Sequence, residues 1–249
     1  MYFTTSAVDD GIIERSFTCD DVPGVLWSPT SGPDDAPAPL LLAGHPGGMH
    51  IRVPGFVARA RNWARSGFHV AAINAPGHGG RPKTAQDTEW TESFQRERRA
   101  GRPYVGILAE FNESLAQRAV PEWRAMLDAV AALPEVADGP VGYAGMNVAM
   151  SIGVPLAVAD SRITAATFGG GFAYDFLVDA AAQVTIPIEF LSPLDDEEIT
   201  RDEQLRLFDA FGSEEKVMLA FPGSHRKVPA DGRLDTGFFD RHLRKVEVI

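Results

Sequence analysis

The sequence predicts an α/β fold, a mostly parallel central sheet flanked by helices. Three observations lead there. Short apolar runs of strand length alternate with longer segments of helical period over most of the chain. Turns rich in glycine and proline follow several of the apolar runs. Three of the later runs are followed in order by an asparagine turn, an acidic loop and a histidine loop, and ligands in open parallel sheets bind beyond such strand ends.

The elements are read as follows. Residues 28–39 form a loop of Pro, Gly, Asp and Ser, and residues 40–43 a buried strand ending at Gly44. Residues 56–66 have helical spacing and stop at Gly67; residues 69–73 are a second strand, ended by Asn74, Ala75 and Pro76. Residues 120–133 read as a helix with Pro121 in its first turn. Residues 140–144 are a strand, and the helix at 148–157 must bend or shorten at Pro155. Strands at 163–168, 186–191 and 216–221, with helices at 201–211 and 237–246, complete the chain. Residues 79–119 break the rhythm. They are polar and charged, and too long for a bare loop in a compact domain. Surface helices with partial pocket lining are expected there, in a chain that is otherwise one domain; a cap over the active edge is the other reading.

With 249 residues, 45% of them hydrophobic, the chain can bury a sizeable core. A formal net charge of −11 argues against nucleic acid or an anionic membrane surface as partner, since both require clustered Lys and Arg. The single cysteine, Cys19, excludes an internal disulfide and zinc sites built on several cysteines. Residues 1–17 lack a basic segment followed by an apolar run, and no apolar run approaches the roughly 20 residues of a membrane span. A cytoplasmic protein acting on a small molecule is expected. No nucleotide, haem or metal motif is present, so no cofactor is expected; a homodimer is left open.

Four groups of strand-end residues carry chemistry. In Gly44-His45-Pro46-Gly47-Gly48-Met49-His50 the glycines free backbone N–H groups; Pro46 has none, which makes Gly47 the candidate donor to an oxyanion. In Ala75-Pro76-Gly77-His78-Gly79-Gly80-Arg81, a turn by composition, His78 reads as structural. In Gly145-Met146-Asn147-Val148-Ala149, small residues stand two positions either side of Asn147, between an entering strand and a leaving helix. This is the shape of the G-x-S-x-G nucleophile elbow with Asn147 at the serine position and Ala149 at the second glycine. Asparagine tolerates the positive φ such a turn demands. Finally, Asp195 and Asp196 follow one strand and His225 the next, the chain order Ser…Asp…His of triads on this kind of sheet.

These motifs resemble the dienelactone-hydrolase-like branch of the α/β-hydrolase superfamily, over nearly the whole chain after about Leu40. GHPGGMH resembles its oxyanion-side loop and INAPGHGGR its D-A-P-G-H-G-x-R segment, with Asn74 for Asp. GYAGMNVAMSIGVPLA resembles its elbow and following helix, PLDDEEI its acid loop, and FPGSHRKVP its histidine loop. The resemblance implies an α/β-hydrolase fold with Asp196 as the acid, His225 as the base, and the N–H groups of Gly47 and Val148 as oxyanion donors. The elbow departs from the family twice, at Asn147 and Ala149.

An amide nitrogen is delocalised and is not a useful nucleophile, and losing a triad nucleophile costs on the order of 10⁶ in turnover. Ser151, one helical turn beyond the elbow tip, is not placed to replace it. Several readings stand. The atypical Asn-Asp-His set runs non-covalent acid/base chemistry (elimination, isomerisation, cyclisation, decarboxylation or direct hydrolysis) on a small, apolar, carbonyl-containing substrate. Alternatively, the chain is a non-catalytic relative binding a ligand or partner. Asn147 could instead deamidate to a carboxylate nucleophile. Or it replaces the serine of an ester or lactone hydrolase, against which the second departure at Ala149 speaks.

Overall fold

In the computed structural model of the chain, the described residues are 1–30, 38–229 and 237–244. Three antiparallel strands, β1 (Tyr2–Asp9), β2 (Ile12–Cys19) and β3 (Val22–Pro29), begin the chain. Six more follow: β4 (Ala38–Ala43), β5 (His69–Ile73), β6 (Val136–Met146), β7 (Ile163–Gly169), β8 (Ile188–Pro193) and β9 (Lys216–Phe221). These six pair in parallel with one another, and the described strands form one nine-stranded sheet in the order β1-β2-β3-β5-β4-β6-β7-β8-β9. Helices α1 (Pro54–Arg65) and α7 (Phe238–Leu243) cover one face. The other carries α3 (Val105–Ala131), α4 (Val148–Ala159), α5 (Asp175–Ala181) and α6 (Arg201–Ala210), each face with its own buried cluster. Helix α2 (Ala85–Arg99) packs on α3.

The three N-terminal strands are an addition to the sequence reading, which begins its strands at residue 40. Their turns are two-residue links with both residues at positive φ: Asp10 and Gly11 at 51° and 72°, Asp20 and Asp21 at 46° and 64°. That is the hairpin turn whose twist matches the flanking strands, and Asp-Gly is its signature. The signal was there in Asp10-Gly11. β1 itself is exposed along its whole length, so it carries no burial pattern to reveal it. Of the loop expected at 28–39, residues 28 and 29 belong to β3 and 38 and 39 to β4; 31–37 lie outside the described residues.

Pro121 does not stand in a first turn, and Pro155 does not shorten its helix. Pro121 lies inside α3, which starts at Val105, and Pro155 lies inside α4, which runs on to Ala159. Each removes one backbone hydrogen bond and costs about 3 kcal/mol in an isolated helix. Burial outweighs that here: α3 buries Leu115, Ala116, Ala119, Trp123, Met126, Leu127 and Val130 on one stripe. Residues 79–119 hold α2 and the first half of α3. α2 opens on a capping box between Thr84 and Asp87 and buries only Asp87. Polar and edge contacts hold it: Arg118 on Asp87 at 2.7 Å, Trp90 against Phe111, and Phe94 against Tyr104. α5 is a further element absent from the sequence reading. The last helix ends at Leu243, and residues 245–249 lie outside the described residues.

The β6–α4 turn is built on Tyr143. This side chain is fully buried, and its hydroxyl donates to the Ala149 carbonyl at 2.7 Å. A Cβ on Gly44 would lie 2.5 Å from that hydroxyl, and one on Gly145 would lie 2.8 Å from both the ring and the Ala149 Cβ. A Cβ on Gly153, one turn further along α4, would lie 2.0 Å from the ring. Gly153→Ala therefore tests the packing against helix propensity. In an open helix the change stabilises by about 1 kcal/mol. Here it should destabilise by about 1–3 kcal/mol or more, read as a lower urea midpoint with unchanged slope.

Candidate active site

Asn147 forms the tip of the β6–α4 turn at φ 58°, ψ −123°. That conformation costs about 1–3 kcal/mol and persists only where the surroundings enforce it. They do: its N–H donates to Gly169 O at 3.0 Å, and its carbonyl accepts from Met150 N at 3.0 Å and Ser151 N at 3.2 Å. Asn147 Oδ1 accepts from the Val148 N–H at 2.8 Å, and its Nδ2 donates to Gly170 O at 3.4 Å. The Val148 N–H, expected to face a ligand, is thus taken by the side chain that precedes it. Gly47 lies alongside. A Cβ there would meet Val148 Cγ2 at 2.5 Å and Asn147 Oδ1 at 3.2 Å, so only glycine lets the two turns approach this closely.

Asp196 and His225 are brought together. His225 Nδ1 lies 2.5 Å from Asp196 Oδ2, and the same oxygen accepts the His225 N–H at 2.7 Å. Asp196 Oδ1 accepts from Glu198 N at 3.0 Å and Ile199 N at 2.9 Å. Asp196 is buried, which by itself raises a carboxyl pKa. Donation from the backbone of His225, Ile199 and Glu198 and from the His225 ring more than reverses this, and holds the carboxyl below its ordinary value. The ionised acid fixes the proton on Nδ1, which leaves Nε2 as the acceptor. Asp195, its neighbour, ties the same two loops together by accepting from Gly223 N at 2.9 Å.

Gly47, Asn147, Val148 and His225 all line one cavity of about 840 Å³. Phe94, Leu108 and Phe111 of the α2–α3 pair, with Phe172 and Tyr174 before α5, give much of it an apolar wall. Glu198 joins that pair to the acid and histidine loops, accepting from Arg98 at 2.6 Å and Arg226 at 2.7 Å. Ser151 is buried and does not line the cavity, and Cys19 is buried beneath α3 with its thiol pKa raised by burial. Among the described residues no cluster of His, Cys, Asp and Glu could hold a metal, and no helix is long and apolar enough to cross a membrane.

Sequence reasoning gave no role to His45. It is buried, accepts the Ala75 N–H at Nε2 (3.0 Å) and so donates from Nδ1 to Pro46 O (3.0 Å). The neutral ring pins the Gly47 turn to the end of β5. Its sole signal in sequence was a histidine beside a strand-end proline. His78 also lines the cavity; its Nδ1 lies 2.9 Å from Pro76 O and its ring 5.2 Å from that of His45. Arg81 closes the same turn, reaching Asn74 O at 2.7 Å and gripping Glu122 of α3 with both nitrogens.

The parallel sheet, the strained β6–α4 turn and the Asp–His contact after β8 and β9 define an α/β-hydrolase fold. Solved structures with this architecture include a cold-adapted esterase from an Arctic intertidal metagenomic library, in its polyethylene-glycol-bound form. It is 28% identical over 98% of this chain and all of that one, with a TM-score of 0.76. A dienelactone hydrolase from Anabaena variabilis is 17% identical over 94% of this chain and all of that one, at 0.65. An acetyl xylan esterase from Paenibacillus is 13% identical over 96% of this chain and 88% of that one, also at 0.65. Neither the comparison with protein-family models nor that with curated proteins gives a match.

Burial pushes the His45 pKa down to about 4, and the His69 and His78 pKa values are lowered by the same cause. The unfolded chain then binds more protons than the folded one between about pH 6.5 and 4, so stability must fall as pH falls through that window. His45 alone accounts for up to about 3 kcal/mol of this. Urea midpoints from pH 7 to 4 should show the slope, and His45→Gln should flatten it. Below about pH 4 the depressed carboxyl of Asp196 takes over, its stabilisation being lost as it protonates. Asp196→Asn should remove that further loss.

Proposed function

We propose that this protein is an enzyme in which His225 acts as general base, oriented by Asp196, on a small carbonyl-containing substrate. No covalent acyl intermediate forms. The observation that carries the reading is the intact Asp196–His225 contact at 2.5 Å beside a cavity whose elbow residue, Asn147, cannot act as nucleophile. The esterase and dienelactone-hydrolase neighbours support a hydrolase-type scaffold that binds carbonyl compounds.

The steps follow from the groups present. Nε2 of His225 takes a proton from the substrate or from water, and Asp196 stabilises the imidazolium that results. Gly47 N–H and Asn147 Nδ2 donate to the carbonyl oxygen as negative charge develops on it. The Nδ2 contact to Gly170 O, at 3.4 Å, is weak enough to exchange for a substrate oxygen. Rotation of the Asn147 amide off the Val148 N–H would add that donor too. The reaction class (elimination, isomerisation, cyclisation, decarboxylation or direct hydrolysis) depends on which bond the substrate presents to Nε2. We place this activity in the cytoplasm and without a cofactor.

The occupied Val148 N–H favours a second reading, a binding protein in which the oxyanion donor is permanently capped. One experiment separates the two. Wild type and His225→Ala are incubated in D₂O with a panel of small ketones, lactones and esters. Deuterium incorporation next to the carbonyl and product formation are followed by NMR. Wild type should turn over at least one compound, and His225→Ala should lose about 10²–10⁴ of that rate. Turnover in wild type that survives in His225→Ala would sink the base assignment, and no turnover across the panel favours the binding protein. Asn147→Ser should introduce a burst of p-nitrophenol from p-nitrophenyl butyrate that wild type lacks.

A further inference from the structure

The cavity does not end at Asn147 and His225. It continues along the inner face of α1, where Phe56, Arg59 and Trp63 line it in succession, a stretch of about 10 Å at 1.5 Å per residue. Trp63 there meets Phe239 of α7, which also lines the cavity, edge to face at 6.3 Å. Arg59 supplies a positive charge to this inner lobe, and its guanidinium pairs with no carboxylate or carbonyl among the described residues. Burial alone lowers its pKa from the ordinary arginine value; a guanidinium remains protonated regardless.

Other arginines that this fold half-buries are all paired. Arg81 holds Glu122 at 2.6 Å, Arg118 holds Asp87 at 2.7 Å, and Arg162 holds Asp160 at 2.6 Å and Asp128 at 2.7 Å. Glu189 lines the same cavity and accepts from Thr167 at 3.5 Å. A desolvated charge without a partner costs stability. A fold retains such a group where a ligand supplies the partner.

We infer that Arg59 is an anion-anchoring residue, and that the inner lobe takes a carboxylate-bearing ligand with an apolar body. The planar fork of the guanidinium matches a carboxylate bidentately. Phe56, Trp63 and Phe239 receive the body, and the opposite end of the ligand points to Asn147 and His225. Only that last orientation rests on the proposed acid/base chemistry; the binding of the anion does not.

Calorimetric titration with phenylacetate and with phenylacetamide isolates the charge, since the two have nearly the same shape. Wild type should prefer phenylacetate by about tenfold or more, the advantage of a charge-assisted hydrogen-bonded pair. Arg59→Gln should abolish the preference, and Arg59→Lys should keep part of it. His225→Ala should keep all of it, so that failure of the catalytic reading leaves this one standing. Arg59→Met, which removes an unpaired charge while keeping the length of the chain, should raise the Tm of the unliganded protein, a readout that also shows that the variant folds. Equal affinity for acid and amide, no binding of either, or an undiminished preference in Arg59→Gln would overturn the assignment. So would a fall in Tm in Arg59→Met.

Discussion

The active edge of this protein depends on the packing of one buried ring. Tyr143 sits under the β6–α4 turn, bonded to the Ala149 carbonyl and pressed on by Gly44, Gly145 and Gly153. Because these neighbours lack side chains, the strand, the helix and the Gly44–Gly48 turn all approach within van der Waals contact. That closeness forces Asn147 into a backbone conformation that it would not adopt alone. It also places Gly47 against Asn147 and Val148. Strain at the tip is thus sustained by close packing below it, since a packed interior resists deformation.

A second device, independent of the first, fixes the histidine. Asp196 has no freedom left: one oxygen accepts two backbone N–H groups of its own loop, and the other accepts both the N–H and the ring of His225. Asp195 ties the same loops from the other side. The two halves of the site therefore come from different strand ends, held by different means. They meet only because β6, β7, β8 and β9 are adjacent and parallel.

Between the two halves stands Asn147, and its amide has two consequences. The nitrogen is a donor held only by a 3.4 Å contact to Gly170 O. The oxygen satisfies the Val148 N–H at the start of α4. An unpaired helix N-terminal N–H in a dry pocket is costly, and the asparagine removes that cost in the resting protein. A ligand oxygen would reach that N–H only by displacing the Asn147 side chain. Glu198, paired with Arg98 of α2 and with Arg226, couples the apolar wall of the cavity to the loops that carry Asp196 and His225.

Much of this was legible in the sequence. The parallel strands from residue 40 onward, and most of the helices between them, follow from hydrophobic period and turn residues, because parallel strands buried on both faces read as short apolar runs. Local pattern singles out Asn147, in a turn flanked by small residues, and Asp196 and His225, after successive strands; that Asp196 and His225 touch is visible only in the fold. Three things were not legible. The exposed edge strand β1 has no burial to pattern it. Pro121 looks like a helix start and Pro155 like a break, and only burial along α3 and α4 carries the helices past them. The roles of His45, Tyr143 and Arg59 depend on partners, or on the lack of one, far away in the chain. Sequence fixes which chemical groups are available and the local shape each segment prefers. Which groups share a cavity, and which charges go unpaired, is decided by long-range packing, and that exists only in the folded chain.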